Sequence, residues 1–297
     1  MTSSSTQASS QAQNPGAGLV QKIRGEAATA TITAQLLRGN VSVLMGSGGN
    51  IAVLSGLDGK LLIDAGMPAS RSRITEALER ISSDPITHLV NTHWHFDHTD
   101  GNEWLHSAGA TILAHENTRK HLSTTTRVED WDYTFPPSPP GALPAEVFQT
   151  ERTLQLNGAT IVLRHYGPAH TDSDISAHFA EADVLHVGDT WWNGVYPFVD
   201  YSTGGSIDGT IRAAEVNLAK VSATTLIIPG HGPVGNKSQL IEFRDMLTAI
   251  RARVAALKKQ GQSLGEVIAS KPTSTYDAKW GSLVPPNLFA KLVYVGV

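Results

Sequence analysis

The pattern of apolar and polar positions changes character several times along the chain. Residues 1–18 show no pattern at all. They are rich in Ser, Gln, Ala and Thr with no charge and no apolar block, the composition of a disordered tail. From residue 28 short β-rich runs follow, at 31–37, 41–45 and 51–54. Asp58-Gly59, a hairpin turn pair, leads into a further run at 61–63. Residues 71–81 carry Ile74, Leu78 and Ile81 at helical spacing, and Pro85 marks the end. The spacing then predicts a strand at 87–91, a short helix at 101–107, a strand at 111–114 and a short helix at 116–122.

Residues 123–146 break the rhythm with five prolines, three aromatic residues (Trp131, Tyr133 and Phe135) and no regular period. This reads as a long loop over one edge of the fold, with a lid role as a hypothesis. Strands resume at 153–156, 160–165, 175–179 and 184–187. A helix at 206–220, a strand at 225–228, a long amphipathic helix at 237–260 and two short helices at 264–270 and 286–294 complete the chain. Residues 1–27 are therefore read as a disordered or extended tail and 28–297 as one domain. Strand groups broken by helices, in two successive sets, predict an α/β (α+β) architecture with two sheets in the middle and helices outside.

Composition narrows the chemistry. The 297 residues include no cysteine and 12 histidines, with a net charge of −4. Without cysteine there are no disulfides, thiolate nucleophiles or iron–sulfur clusters, so any transition metal must be held by histidine and carboxylate. The mildly acidic balance argues against a nucleic-acid partner. No apolar run is long enough to span a membrane. A small-molecule substrate is expected; oligomeric state is left open. No signal peptide is legible, so cytoplasm and periplasm are both compatible with the sequence.

The informative segment is Asn91-Thr92-His93-Trp94-His95-Phe96-Asp97-His98-Thr99-Asp100-Gly101, where a strand ends and a helix begins. On an extended stretch His93 and His95 project the same way, as two ligands of one metal ion must. A turn toward the helix aims Asp97 and His98 at a second site. Three more candidates each follow an apolar strand and stand beside glycine turns: His170 in Gly-Pro-Ala-His, Asp189 in Val-Gly-Asp-Thr and His231 in Pro-Gly-His-Gly. The other seven histidines are read as surface or hydrogen-bonded residues. Residues 46–50, Gly-Ser-Gly-Gly-Asn, lack the Lys-Ser/Thr of a phosphate loop and read as a mobile hairpin tip.

The run His93-x-His95-x-Asp97-His98, followed in order by His170, Asp189 and His231, resembles the metallo-β-lactamase superfamily. Leu61-Leu62-Ile63-Asp64-Ala65-Gly66 resembles that family's first motif, and the likeness spans about residues 30–235. The resemblance implies a four-layer αββα sandwich with a two-metal site at one edge of the paired sheets. It implies His93, His95 and His170 on one metal and Asp97, His98 and His231 on the other, with Asp189 bridging. Imidazole and carboxylate suit two Zn²⁺ ions, with iron or manganese as alternatives. Two ions about 3.5–4 Å apart share and acidify a water. Asp97 is placed to orient that water and pass a proton to the leaving group. Asp64 reads as a residue holding a ligand imidazole in its tautomer. Trp94, Trp191, Trp192, Tyr196 and Phe198 flank ligands in sequence and are candidates for an apolar substrate wall.

The expected activity is opening of a cyclic amide or ester, β-lactam-like or lactone-like. The lack of cysteine removes the β-lactamases that use a cysteine ligand. The family's all-histidine β-lactamases generally lack the aspartate seen here as Asp189. Glyoxalase II-like thioesterases carry that aspartate and rank second, with Arg251, Arg253, Lys258 and Lys259 as the basic residues available for glutathione. Phosphodiesterase and mononuclear iron dioxygenase activities are further alternatives.

Overall fold

The computed structural model describes residues 16–297. The expected tail therefore lies outside the described residues as far as position 15, and beyond residue 18 it is corrected. Leu19–Ala27 form a helix, α1, with Val20 and Ala27 buried. Val20, Ile23 and Ala27 recur at helical intervals, and Arg24 ties the helix down. Its guanidinium donates to Asp100 Oδ2 at 2.9 and 3.1 Å and to the Tyr133 hydroxyl at 2.8 Å.

Strands β1 (Thr33–Arg38), β2 (Val41–Met45), β3 (Ile51–Leu54) and β4 (Lys60–Ile63) form an antiparallel meander. Helix α2 (Arg71–Ile81) carries the chain over to β5 (Ile86–Val90), parallel to β4. Two short helices, α3 (Phe96–Thr99) and α4 (Asn102–Ser107), then lead to β6 (Thr111–His115), parallel to β5. After α5 (Glu116–Ser123) comes the segment expected as a structureless loop. It holds a small hairpin, β7 (Thr126–Val128) with β8 (Tyr133–Phe135), and then β9 (Glu146–Phe148), which completes a seven-stranded sheet. Val128, Trp131 and Phe135 are buried there. Strands of three residues are too short for a period to register.

The second sheet has five strands: β10 (Glu151–Leu156), β11 (Ala159–His165), β12 (Ile175–Phe179), β13 (Val184–His186) and β14 (Leu226–Ile228). The first four are antiparallel, and β14 joins β13 in parallel after helix α6 (Ile207–Lys220). Helices α7 (Lys237–Lys259), α8 (Leu264–Ala269), α9 (Asp277–Trp280) and α10 (Pro286–Gly296) follow. Asn236 caps α7 through a reciprocal capping box with Gln239.

Burial shows the layers. Leu61 and Ile63 pack with Ile161, Leu163, Ala177 and Phe179 in the core between the sheets. Leu62, one residue out of phase, packs outward with Ile74 and Leu78 of α2 and Leu105 of α4. On the far side Leu185 and Ile227 pack with Phe243 and Leu247 of α7 and Leu292 of α10. Helices, sheet, sheet and helices thus stack in the αββα order that the resemblance implied. Both faces of the central strands are covered, which is why their sequences are continuously apolar rather than alternating. No helix among the described residues is long and apolar enough to cross a membrane.

Phe179 is fully buried between the sheets. Phe179→Ala is expected to cost about 3–5 kcal/mol in a denaturant titration. A loss below about 1 kcal/mol would mean that the two sheets do not share this core.

Candidate metal centre

The candidate ligands come from strand ends on one side of the sandwich. The chain leaves β5 at Val90, and residues 91–95 run extended or bent before α3 begins at Phe96. His93 and His95 lie on that link, whereas Asp97 and His98 lie in the first turn of α3. The change of backbone direction separates the pairs. Asp189 sits in a 3-10 turn after β13, His231 follows the Pro229-Gly230 turn after β14, and His170 lies in the link before β12. These are the positions where strand ends present side chains rigidly.

All seven side chains come together in two groups, His93 with His95, His170 and Asp189, and Asp97 with His98 and His231. The Asp189 carboxylate stands between them. Its Oδ2 lies 3.8 Å from His93 Nε2, 3.4 Å from His170 Nε2 and 3.3 Å from His231 Nε2, and its Oδ1 lies 3.1 Å from His98 Nε2. His231 Nε2 is also 3.2 Å from Asp97 Oδ2.

The outward-facing nitrogens are fixed by a surrounding shell. His98 Nδ1 meets Asp64 Oδ2 at 2.7 Å, and the same carboxylate accepts from the Thr92 amide and hydroxyl at 2.7 and 2.8 Å. His93 Nδ1 meets that hydroxyl at 3.0 Å, and His170 Nδ1 meets the Phe198 carbonyl at 2.7 Å. Asp64 adopts a left-handed backbone (φ 70°), which aspartate tolerates better than most residues. Asp200, which the sequence reading passed over, takes His95 Nε2 at 3.0 Å and also accepts from the Thr203 hydroxyl at 2.6 Å. Its only sequence signal is its place just after the aromatic stretch ending in Phe198. The glycines at 46–50 are a packed floor rather than a mobile tip. The Gly49 amide donates to the Asp97 carbonyl at 3.1 Å, and a Cβ on Gly49 would overlap the His98 ring.

The electrostatics calls for a cation. Burial disfavours charge on His93, neighbouring His98 adds to the effect, and the His93 pKa falls well below the ordinary value. Burial also opposes charge on His98 and His231. There the carboxylates of Asp189 and Asp97 prevail, holding His98 well above its usual value and His231 at about 9. Burial likewise opposes charge on Asp189, yet the surrounding imidazoles keep it well below the usual carboxylate range. His93 Nε2, His98 Nε2 and Asp189 Oδ1 are buried and make no well-aligned hydrogen bond. Unsatisfied polar atoms in a dry site are costly. Three of them pointing into one cluster of imidazoles and carboxylates fit divalent metal ions with nitrogen and oxygen preference.

The aromatic candidates separate. Trp192 and Phe198 line the cleft above the centre, together with Trp131 and Phe96, which the sequence reading did not place there. Trp94 lines a different cavity, beside Arg24 and Phe135. Trp191 and Tyr196 are fully buried, Tyr196 stacking on Phe289 with ring centroids 4.5 Å apart and donating to Asp277. Those two belong to the helical core and not to a wall facing substrate.

Two outcomes follow. Metal loading must displace protons from His98 and His231, so the apparent metal affinity is expected to rise with pH below about 9. About one to two protons per chain should be released at neutral pH, measured by indicator titration. Loading without proton release would contradict this charge balance. Asp200→Ala is expected to weaken metal binding about 10–100-fold in a competitive chelator titration. An unchanged affinity would show that His95 needs no such partner.

The profile of the family described as Metallo-beta-lactamase superfamily matches residues 44–235. A hydroxyacylglutathione hydrolase of Polaromonas sp. (strain JS666 / ATCC BAA-500) is 27% identical over 173 residues, covering 58% of this chain and 58% of the relative. The match thus spans under two thirds of that relative's length. A metallo-beta-lactamase from Pontibacter korlensis superposes with TM-score 0.59 at 17% identity, covering 73% of this chain and 99% of its own. The stereoselective inverting sec-alkylsulfatase Pisa1 from Pseudomonas sp. superposes with TM-score 0.64 at 16% identity, covering 86% of this chain and 48% of its own. At such identities these two structures speak for the fold alone. With the family profile covering most of the chain, the protein belongs to the metallo-beta-lactamase superfamily.

Proposed function

We propose that the protein is a dinuclear metal-dependent hydrolase, with zinc as the best fit, that opens a cyclic amide or ester of lactam or lactone type. The observation that carries the reading is Asp189 lying between two groups of ligand-type side chains, with His93 Nε2 and His98 Nε2 buried and making no well-aligned hydrogen bond. Two bound divalent ions supply Lewis acidity and an activated water.

The chain's own residues supply position and proton transfer. Burial works against the charge on Asp97, but the neighbouring His98 and His231 lower its pKa, so it is ionised at neutral pH. It borders the cleft and is placed to take a proton from the attacking water and return it to the leaving group. Asp64, Asp200 and the Phe198 carbonyl hold three ligand rings in one orientation, so little reorganisation accompanies the reaction. Trp131, Trp192 and Phe198 limit water at the cleft.

A thioesterase reading draws on the relatives named hydroxyacylglutathione hydrolase. Three of the four basic residues considered for a glutathione moiety are engaged elsewhere. Arg251 pairs with Asp208 at 2.6 Å, Arg253 donates to the Pro272 carbonyl at 2.6 Å, and Lys258 donates to the carbonyls of Tyr294 and Val297. These contacts hold the helices together rather than face the cleft.

The test is turnover of lactones, β-lactams, thioesters and phosphodiesters by metal-loaded protein. Lactone or lactam opening is expected to be fastest, with Asp97→Asn lowering kcat about 10²–10⁴-fold. His95→Ala should lose at least about 100-fold. Cyclic ester or amide hydrolysis that survives both changes, or a clear preference for thioester, would overturn the reading.

A further inference from the structure

The cleft over the metal centre is closed partly by residues beside the ligand motifs and partly by segments far from them. One wall is aromatic: Phe96, Trp131, Trp192 and Phe198. The other is aliphatic, with Leu19 and Ile23 from α1 and Leu283 and Val284 from the turn before α10. The space between them is narrow, about 30 Å³, and only the floor is polar, where His95, Asp97, Asp189 and His231 belong to the centre. A wider cavity of about 170 Å³ continues past His231, sharing Ile23 and Leu283.

Charge is distributed unevenly around this space. No lysine or arginine lines either cavity among the described residues, and the charged residue in the outer one is Glu26. Neither cation of α1 lines this space. Arg24 is held by Asp100 and Tyr133, and Lys22 lies 3.9 Å from Glu26 on the helix surface. Away from the metal centre, an anionic group between α1 and Leu283 would be desolvated against aliphatic side chains with no lysine or arginine to pair with. A slender hydrocarbon group would bury apolar surface on both walls.

Resting on the hydrolase reading above, we propose that the substrate carries no anionic charge on the group that extends from its scissile bond past the metal centre. Its hydrophobic group lies between the N-terminal helix and the aromatic wall, with Ile23 and Leu283 as specificity-determining residues. Carboxylated, phosphorylated or sulfated substrates are disfavoured. The helix thereby becomes part of the binding site, and Arg24 clamps it in place.

Binding of two metal-chelating probes tests this without turnover. Hexanohydroxamate and adipic monohydroxamate share a six-carbon chain and differ in a terminal carboxylate. On the zinc-loaded full chain, calorimetry is expected to show the neutral probe binding at least about tenfold more tightly. Ile23→Arg is expected to shift that ratio about tenfold or more toward the carboxylate. Leu283→Arg, on a separate segment, is expected to do the same and serves if the first variant does not fold. Equal affinities, or a ratio unmoved in a folded arginine variant with full metal content, would overturn the proposal. Failure of the hydrolase reading looks different: the probe preference persists while neutral lactones and lactams are not turned over.

Discussion

Four imidazoles converge on the Asp189 carboxylate inside a largely buried pocket, at distances of 3.1 to 3.8 Å. Asp97 stands against two of them. Such an arrangement is poor as a purely protein structure. His98 and His231 must be charged to balance the carboxylates, His93 and His170 are forced neutral by burial, and three polar atoms make no well-aligned hydrogen bond. A cation exchanged for those protons removes the conflict. Stability given up at one place in a fold is a common mark of a functional site. The surrounding features follow from this one: the Asp64, Thr92 and Asp200 contacts orient the rings, and the glycine floor at 48–49 lets the chain pass close under Asp97 and His98.

The sandwich around the centre gives it rigidity. Ligands leave β5, β13 and β14 at the same edge because those strands run parallel to neighbours that end together, so one edge collects groups from distant parts of the chain. Helices pack against both outer faces and leave the inner core dry. This covering explains both the continuous apolar strands and the low dielectric in which the centre's charges act.

The legibility of the fold divides by length scale. Helices such as Arg71–Ile81 are readable because their own residues carry the period, and strands such as Ile51–Leu54 because they are short apolar runs bounded by turn residues. The His93–His98 cluster was readable because its ligands fall within six residues. His170, Asp189 and His231 were readable because each stands beside a glycine turn that allows a sharp approach. Asp200 was not, since its role lies in a contact with a residue 105 positions away. The segment at 123–146 and helix α1 were missed for a related reason. Their order comes from side chains such as Trp131, Phe135 and Arg24 that find partners in remote parts of the chain, and nothing local encodes those partners. Trp191 and Tyr196 mislead in the opposite sense: they are near ligands in sequence but face the helical core.

The parts of the cleft wall from α1 and Trp131 therefore come from elements that local pattern reads least well, while the chemistry comes from those it reads best. That division matches the general tendency for binding selectivity to reside in peripheral segments placed on a rigid scaffold. The central claim is that Asp189 joins two metal sites, and metal stoichiometry tests it most directly. Elemental analysis of the purified chain, loaded with zinc and freed of excess, is expected to find about two ions per chain. A value of one or none in correctly folded protein would contradict it.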